Sequence, residues 1–142
     1  MKTLCYAALV LGIAVAGLTL AVRALAADAS PTGKVYELRT YKASPGKLDA
    51  VHARFRDHTC PIFKKHGIEI VGAWTPTTGD EAKDTLIYIV VFPSVEAQQK
   101  AWKEFHDDPE WIKAKAESEK DGVLVKSHES KNLQATDYSP IR

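Results

Sequence analysis

The sequence predicts a single α+β domain on a βαββαβ plan, with an extra helix before the last strand. Three observations predict it. Stretches with a hydrophobic period of two alternate, in that order, with stretches whose period is near 3.6. Turn residues (Pro45-Gly46, Gly67, Pro93 and Asp121-Gly122) separate them. The stretch 85–92 (Thr-Leu-Ile-Tyr-Ile-Val-Val-Phe) is apolar on both faces, as a central strand is.

The first strand is expected over 35–41. Alternation puts Tyr36, Leu38 and Thr40 on one side and Val35, Glu37, Arg39 and Tyr41 on the other. After the Pro45-Gly46 turn, residues 47 to about 66 read as a helix. Leu48, Val51, Phe55, Ile62 and Phe63 form its stripe. Pro61 lies inside that pattern and should kink or interrupt the helix near Thr59-Cys60, because it removes one backbone donor. Lys64, Lys65 and His66 suit the negative end of the helix, and Gly67 is its left-handed stop.

The second strand is expected over 68–76, and a polar turn leads to the third at 85–92 as an antiparallel hairpin. Ser94 is placed to cap a helix running to about His106, with Ala97, Ala101, Trp102 and Phe105 on its stripe. Asp108, with Pro109 behind it, starts a further helix over 110–120. Residues 123–128 form the last strand, with 129–133 as its extension and an extended tail after it. Right-handed crossovers put the helices on one sheet face, which is the ferredoxin-like arrangement. The other face has no cover, yet 85–92 is apolar there too. Sheet-to-sheet homodimerisation is the expected solution.

The N-terminus reads as an address. Met1-Lys2 is followed by an apolar run over 4–22, and Ala24-Leu25-Ala26 has the small-x-small form that a signal peptidase reads. Cleavage is expected between Ala26 and Ala27, and Ala27-Asp28-Ala29 offers a second site. If it is not cleaved, the run of about 19 residues is long enough to anchor in a bilayer. The expected layout is a signal peptide at 1–26, a linker at 27–34 and the domain at 35–142, with the protein exported to the periplasm or beyond.

Removal of 1–26 takes Lys2 and Arg23, leaving 17 basic side chains against 18 acidic ones. That balance provides no basic patch for nucleic acid. Cys5 leaves too, so Cys60 is alone and the fold relies on no internal disulfide. Cys60 reads as a small buried apolar residue.

Six segments together resemble the NIPSNAP family. They are Val35-Tyr36-Glu37-Leu38-Arg39-Thr40-Tyr41, Pro45-Gly46-Lys47, Lys65-His66-Gly67-Ile68, Val71-Gly72-Ala73-Trp74, Phe105-His106-Asp107-Asp108-Pro109-Glu110-Trp111 and Thr136-Asp137-Tyr138-Ser139-Pro140. The resemblance implies the dimeric α/β barrel, in which two ferredoxin-like units pack sheet to sheet. It implies kinship with antibiotic-biosynthesis monooxygenases and stress-responsive barrel proteins, and no settled activity. The export signal departs from the mitochondrial members, so their trafficking role does not carry over.

No metal or cofactor motif is present: the five histidines lack paired zinc spacing, and phosphate-binding and dinucleotide loops are absent. The remaining chemistry lies on apolar elements. Glu37, Arg39 and Tyr41 share a strand face. If Tyr36 and Leu38 meet the helices, the charged pair points into the dimer barrel, where it could bind a small acid or phenol, or act as a structural ion pair. His66 could be a base near Trp74 and Tyr88, or simply a helix-end cation. Trp74, Tyr88, Trp102, Phe105 and Trp111 could line an apolar pocket or form core. Two functions stand: a dimeric module that binds a small apolar or aromatic ligand or a partner, and a cofactor-free monooxygenase or isomerase acting on a small aromatic or polyketide-like substrate. Finding Glu37, Arg39 and His66 all solvent-exposed or tied up in ion pairs argues against the enzyme.

Overall fold

The structure, a computed structural model, describes residues 33–141. The signal segment, the Ala26/Ala27 junction and most of the linker lie outside the described residues.

Four antiparallel strands form one sheet in the order β2-β3-β1-β4. They are β1 (Val35–Ala43), β2 (Glu69–Trp74), β3 (Thr85–Phe92) and β4 (Val125–Leu133). The helices are α1 (Leu48–Arg54), α2 (Cys60–Lys65), α3 (Val95–Asp107) and α4 (Pro109–Ser118). The βαββαβ plan is realised, with α4 as the extra helix. It places the chain in the α+β class, as a ferredoxin-like unit.

The first helix is interrupted, and the form of the interruption is specific. Residues Phe55–Thr59 make a π turn between α1 and α2, in which the Cys60 N–H donates to the Phe55 carbonyl, five residues back. Pro61 follows at the start of α2. The wider π turn falls just before the position where Pro61 has no N–H to give. Gly67 ends α2 with φ +70°, and the Ile68 N–H reaches back to the Phe63 carbonyl. Ser94 caps α3 by accepting from the Ala97 N–H, and Asp108 caps α4 by accepting from the Glu110 N–H.

The core lies between the sheet and the helices. From β3 it takes Leu86, Tyr88, Val90 and Phe92, and from the helices Val51, Phe55, Ile62, Phe63, Ala101 and Phe105. Burial of each large apolar side chain contributes about 1.5–3 kcal/mol. On the opposite face of β3, Ile87, Ile89 and Val91 are only half-buried. Leu38 lies beside Ile89 there, and Leu133 pairs with Tyr36 on the same face. The tail over 134–141 bends back along this face. It borders a groove of about 290 Å³ whose lining includes Tyr36, Val71, Ile89 and Leu133.

The strand faces are reversed relative to one expectation. Glu37, Arg39 and Tyr41 sit opposite Val90, Tyr88 and Leu86 in the register, so they point toward the helices. Tyr36 and Leu38 take the open face. Alternation fixes which residues share a face, but it leaves open which face the helices cover. The helices settle it, because α3 brings donors that a buried Glu37 needs. β4 is also longer at its C-terminal end than its strongest apolar stretch, and nearly all of it is exposed.

Candidate functional site

Glu37 is the centre of the most connected polar cluster in the described structure. It is 3% exposed, under α3 and between β3 and β4. Its Oε1 accepts from Arg39 Nη1 at 2.8 Å and from the Ser130 hydroxyl. Its Oε2 accepts from Gln98 Nε2 and Trp102 Nε1, each at 2.6 Å. Gln98 in turn exchanges two hydrogen bonds with Asn132. Each partner arrives by simple periodicity. Gln98 and Trp102 are four apart on one face of α3, and Ser130 and Asn132 are two apart on one face of β4. Burial pushes the Glu37 carboxyl up, but the hydrogen bonds from Ser130, Gln98 and Trp102 and the charge of Arg39 outweigh it and hold it below its ordinary value. A carboxylate with four donors is ionised and already fully engaged.

Arg39 is less satisfied. It is 8% exposed, and its guanidinium lies 4.4 Å from the Trp102 ring centre and 5.6 Å from that of Tyr41. Its Nε is buried without a hydrogen-bond partner. The Tyr88 hydroxyl, on the directly opposed residue of β3, is also buried without one. Burial, then the neighbouring Tyr41, pushes the Tyr88 phenol well up, although no hydrogen bond of normal geometry joins the two hydroxyls. A buried polar group left without a partner costs about 1–3 kcal/mol, so two together are notable.

Two histidines border this cluster. His106 stacks on Trp102 with an interplanar angle of 22°, and His128 packs against Tyr41 at 5.6 Å. Burial and the nearby charges of Arg39 and Lys115 push the His106 imidazole down, so it is neutral near pH 7. Neither histidine was singled out as a site residue from sequence. The available signals were the i,i+4 spacing of Trp102 and His106 and the pairing of His128 with Tyr41, and the second needs the β4 register.

The other sequence candidates divide. Tyr41, Tyr88 and Trp102 join Glu37 and Arg39. Tyr88 is core, while Tyr41 and Trp102 are partly buried at its margin. Trp74 does not join them. It is 53% exposed on the opposite sheet face, folded over Gly72, because the irregularity in β2 between Ile70 and Gly72 sets its side. His66 also stands apart: its Nε2 lies 2.6 Å from Asp108 Oδ2, which Lys65 also contacts at 2.9 Å. It is a clamp from the end of α2 to the cap of α4, not a base beside Trp74 and Tyr88. Among the described residues no group of three or more His, Cys, Asp or Glu could hold a metal ion. Cys60 is half-buried, and burial pushes its thiol up.

This fold, a ferredoxin-like sheet with its helices on one face and an open apolar second face, is that of the dimeric α/β-barrel proteins. Within that class the chain belongs to the NIPSNAP family, whose sequence profile matches residues 36–140. A NIPSNAP family protein of unknown function from Agrobacterium tumefaciens is similar in structure, with a TM-score of 0.68 and 24% identity over 79% of this chain and 96% of that one. A NIPSNAP-like domain protein from Burkholderia xenovorans is similar at a TM-score of 0.67 and 16% identity, covering 77% of this chain and 90% of that one. A variant of SnoaB, a cofactor-independent oxygenase from Streptomyces nogalater, has a TM-score of 0.52 and 14% identity over 76% of this chain and 98% of that one. No curated protein matches the sequence significantly.

Proposed function

We propose that the protein is an exported homodimeric binding module. Two copies pack open sheet face to open sheet face, and each holds a small ligand between its sheet and helices. The apolar sheet face away from the helices, which the tail borders only in part, carries this reading. Leu38, Ile87, Ile89 and Val91 lie half-buried on the side away from the helices, with Leu133 exposed beside them. A second copy with the same face satisfies it by twofold symmetry. Export rests on the residues at 1–26.

Light scattering on the exported protein tests the assembly. A dimer mass is expected at micromolar concentration, and Leu38→Lys with Ile89→Lys should give a folded monomer. A wild-type monomer overturns it. N-terminal sequencing of the exported protein tests the address, and an intact Met1 removes the cleavage site.

A cofactor-independent oxygenase or isomerase is the second reading, favoured by the likeness to SnoaB and by the aromatic and imidazole groups around Arg39. The binding module is preferred because Glu37 and Arg39 are engaged in an ion pair and His66 is held against Asp108. In the enzyme reading the base is His106, which is neutral near pH 7 and so able to accept a proton.

A further inference from the structure

We propose that Arg39 and Tyr88 form a carboxylate site for a small aromatic acid. The acid enters between α3 and the exposed strand β4. Its carboxylate accepts from Arg39 Nε and the Tyr88 hydroxyl, and its ring lies among Tyr41, Trp102 and His128. The proposal rests on the binding-module reading and names its ligand class.

Four observations carry it. Arg39 and Tyr88 are direct cross-strand partners on one face, so their side chains are neighbours. Both are at least nine-tenths buried, and each leaves one donor unpaired there. Side by side on one sheet face, with the Tyr41 hydroxyl as the neighbouring polar group and neither making a hydrogen bond of normal geometry, the two donors mark a place for an acceptor atom. The one nearby anion, Glu37, is already engaged by four donors. Guanidinium geometry favours a planar carboxylate, and arginine keeps its charge when buried.

The walls select an aromatic acid over a bare anion. Trp102 and Tyr41 flank the guanidinium, and His106 and His128 border the same rings. The route in is given by β4. His128 and Ser130 lie on its helix-side face, aligned with Tyr41 and Arg39, and both are exposed.

The test is a titration of the purified exported protein with benzoate, followed by calorimetry and by the Arg39 Nε–H resonance. Acetate and neutral benzamide are run as controls. Saturable benzoate binding that shifts the Nε–H signal is expected, at least tenfold tighter than either control. Tyr88→Phe removes only the unpaired hydroxyl and leaves the Glu37 network intact, and it should weaken benzoate at least fivefold. Arg39→Met should abolish binding where it folds; if it does not fold, Tyr88→Phe decides. Absence of benzoate binding, equal binding of benzamide, or an unchanged affinity in Tyr88→Phe overturns the site. The dimer mass, measured on the same samples, is independent of these results and separates a failure of this site from a failure of the assembly.

Discussion

The Trp102 indole donates to Glu37 across the sheet–helix interface at 2.6 Å, while its ring stacks 4.4 Å from the Arg39 guanidinium. One side chain thus serves both members of a buried ion pair, the anion through its N–H and the cation through its π face. The pair is therefore held within one chain and needs no second copy.

Removing one member of that pair should cost more than removing both. Glu37→Leu leaves Arg39 buried with no counter-charge, and a loss of about 3–5 kcal/mol is expected. The double variant Glu37→Leu with Arg39→Met should recover a large part of it, because no uncompensated charge remains. Urea unfolding of both variants measures this. Equal losses would show that the pair contributes only through packing.

Trp102→Phe keeps an aromatic ring, though a smaller one, and removes one donor to Glu37. A loss of about 1–3 kcal/mol is expected, the cost of underserving a buried carboxylate. The Glu37 carboxyl should also titrate at higher pH than in the wild type, as carboxyl NMR would show. An unchanged titration would mean that Ser130, Gln98 and Arg39 suffice.

Stability should fall with acid in two stages. His106 is pushed below its ordinary 6.5 on folding, so below that pH the unfolded chain binds more protons and stability declines. Glu37 is pushed below 4.5, so its contribution is full above that value and is lost as pH falls further toward its folded pKa. Asp108, held well below the carboxylate range by Lys65 and His66, adds to the acid limb in the same direction. Urea midpoints across a pH series read both stages. His106→Gln should flatten the upper stage and leave the lower one in place.

Asp108 has two roles that substitutions can separate. It caps α4 through the Glu110 N–H, and it accepts from His66 and Lys65. Asn keeps the cap but lacks the charge, whereas Ala lacks both. Asp108→Ala should have a lower urea midpoint than Asp108→Asn, and Asp108→Asn a lower one than the wild type. Equal midpoints for the two variants would leave the cap without a measurable role.

Gly72 faces the Trp74 ring. A Cβ added there would lie 2.5 Å from Trp74 Cη2. Trp74 is more than half exposed, so the ring should swing away, and Gly72→Ala should change stability by about 1 kcal/mol or less. A changed tryptophan emission is expected, and in the proposed dimer a weaker association, since the ring lies on the face away from the helices. A loss of about 1–3 kcal/mol would mean that the ring is held in place and the site is overpacked.

Much of the fold was legible in the sequence. The two-sided apolar run at 85–92 is β3 with those bounds. Gly67, Ser94 and Asp108 mark the helix ends where capping chemistry places them. These features are local, and hydrogen bonds within a few residues decide them. The break in the first helix was legible as well, but its π form was not, because Pro61 dictates only that a donor is missing.

The site was half legible. The sequence alone determined that Glu37, Arg39 and Tyr41 share a strand face, because side chains alternate along a strand. It could not determine that this face meets α3, nor that Trp74 lies on the other face and His66 at a distant clamp. Those positions depend on strand register, on the irregularity in β2 and on the path of β4. Such relations join residues far apart in the chain, and no local pattern encodes them. Only the tertiary structure put Gln98, Trp102, Ser130 and Asn132 around Glu37. The reason is energetic: a buried carboxylate is tolerated only where donors from several elements converge on it, and convergence is a property of the packed chain.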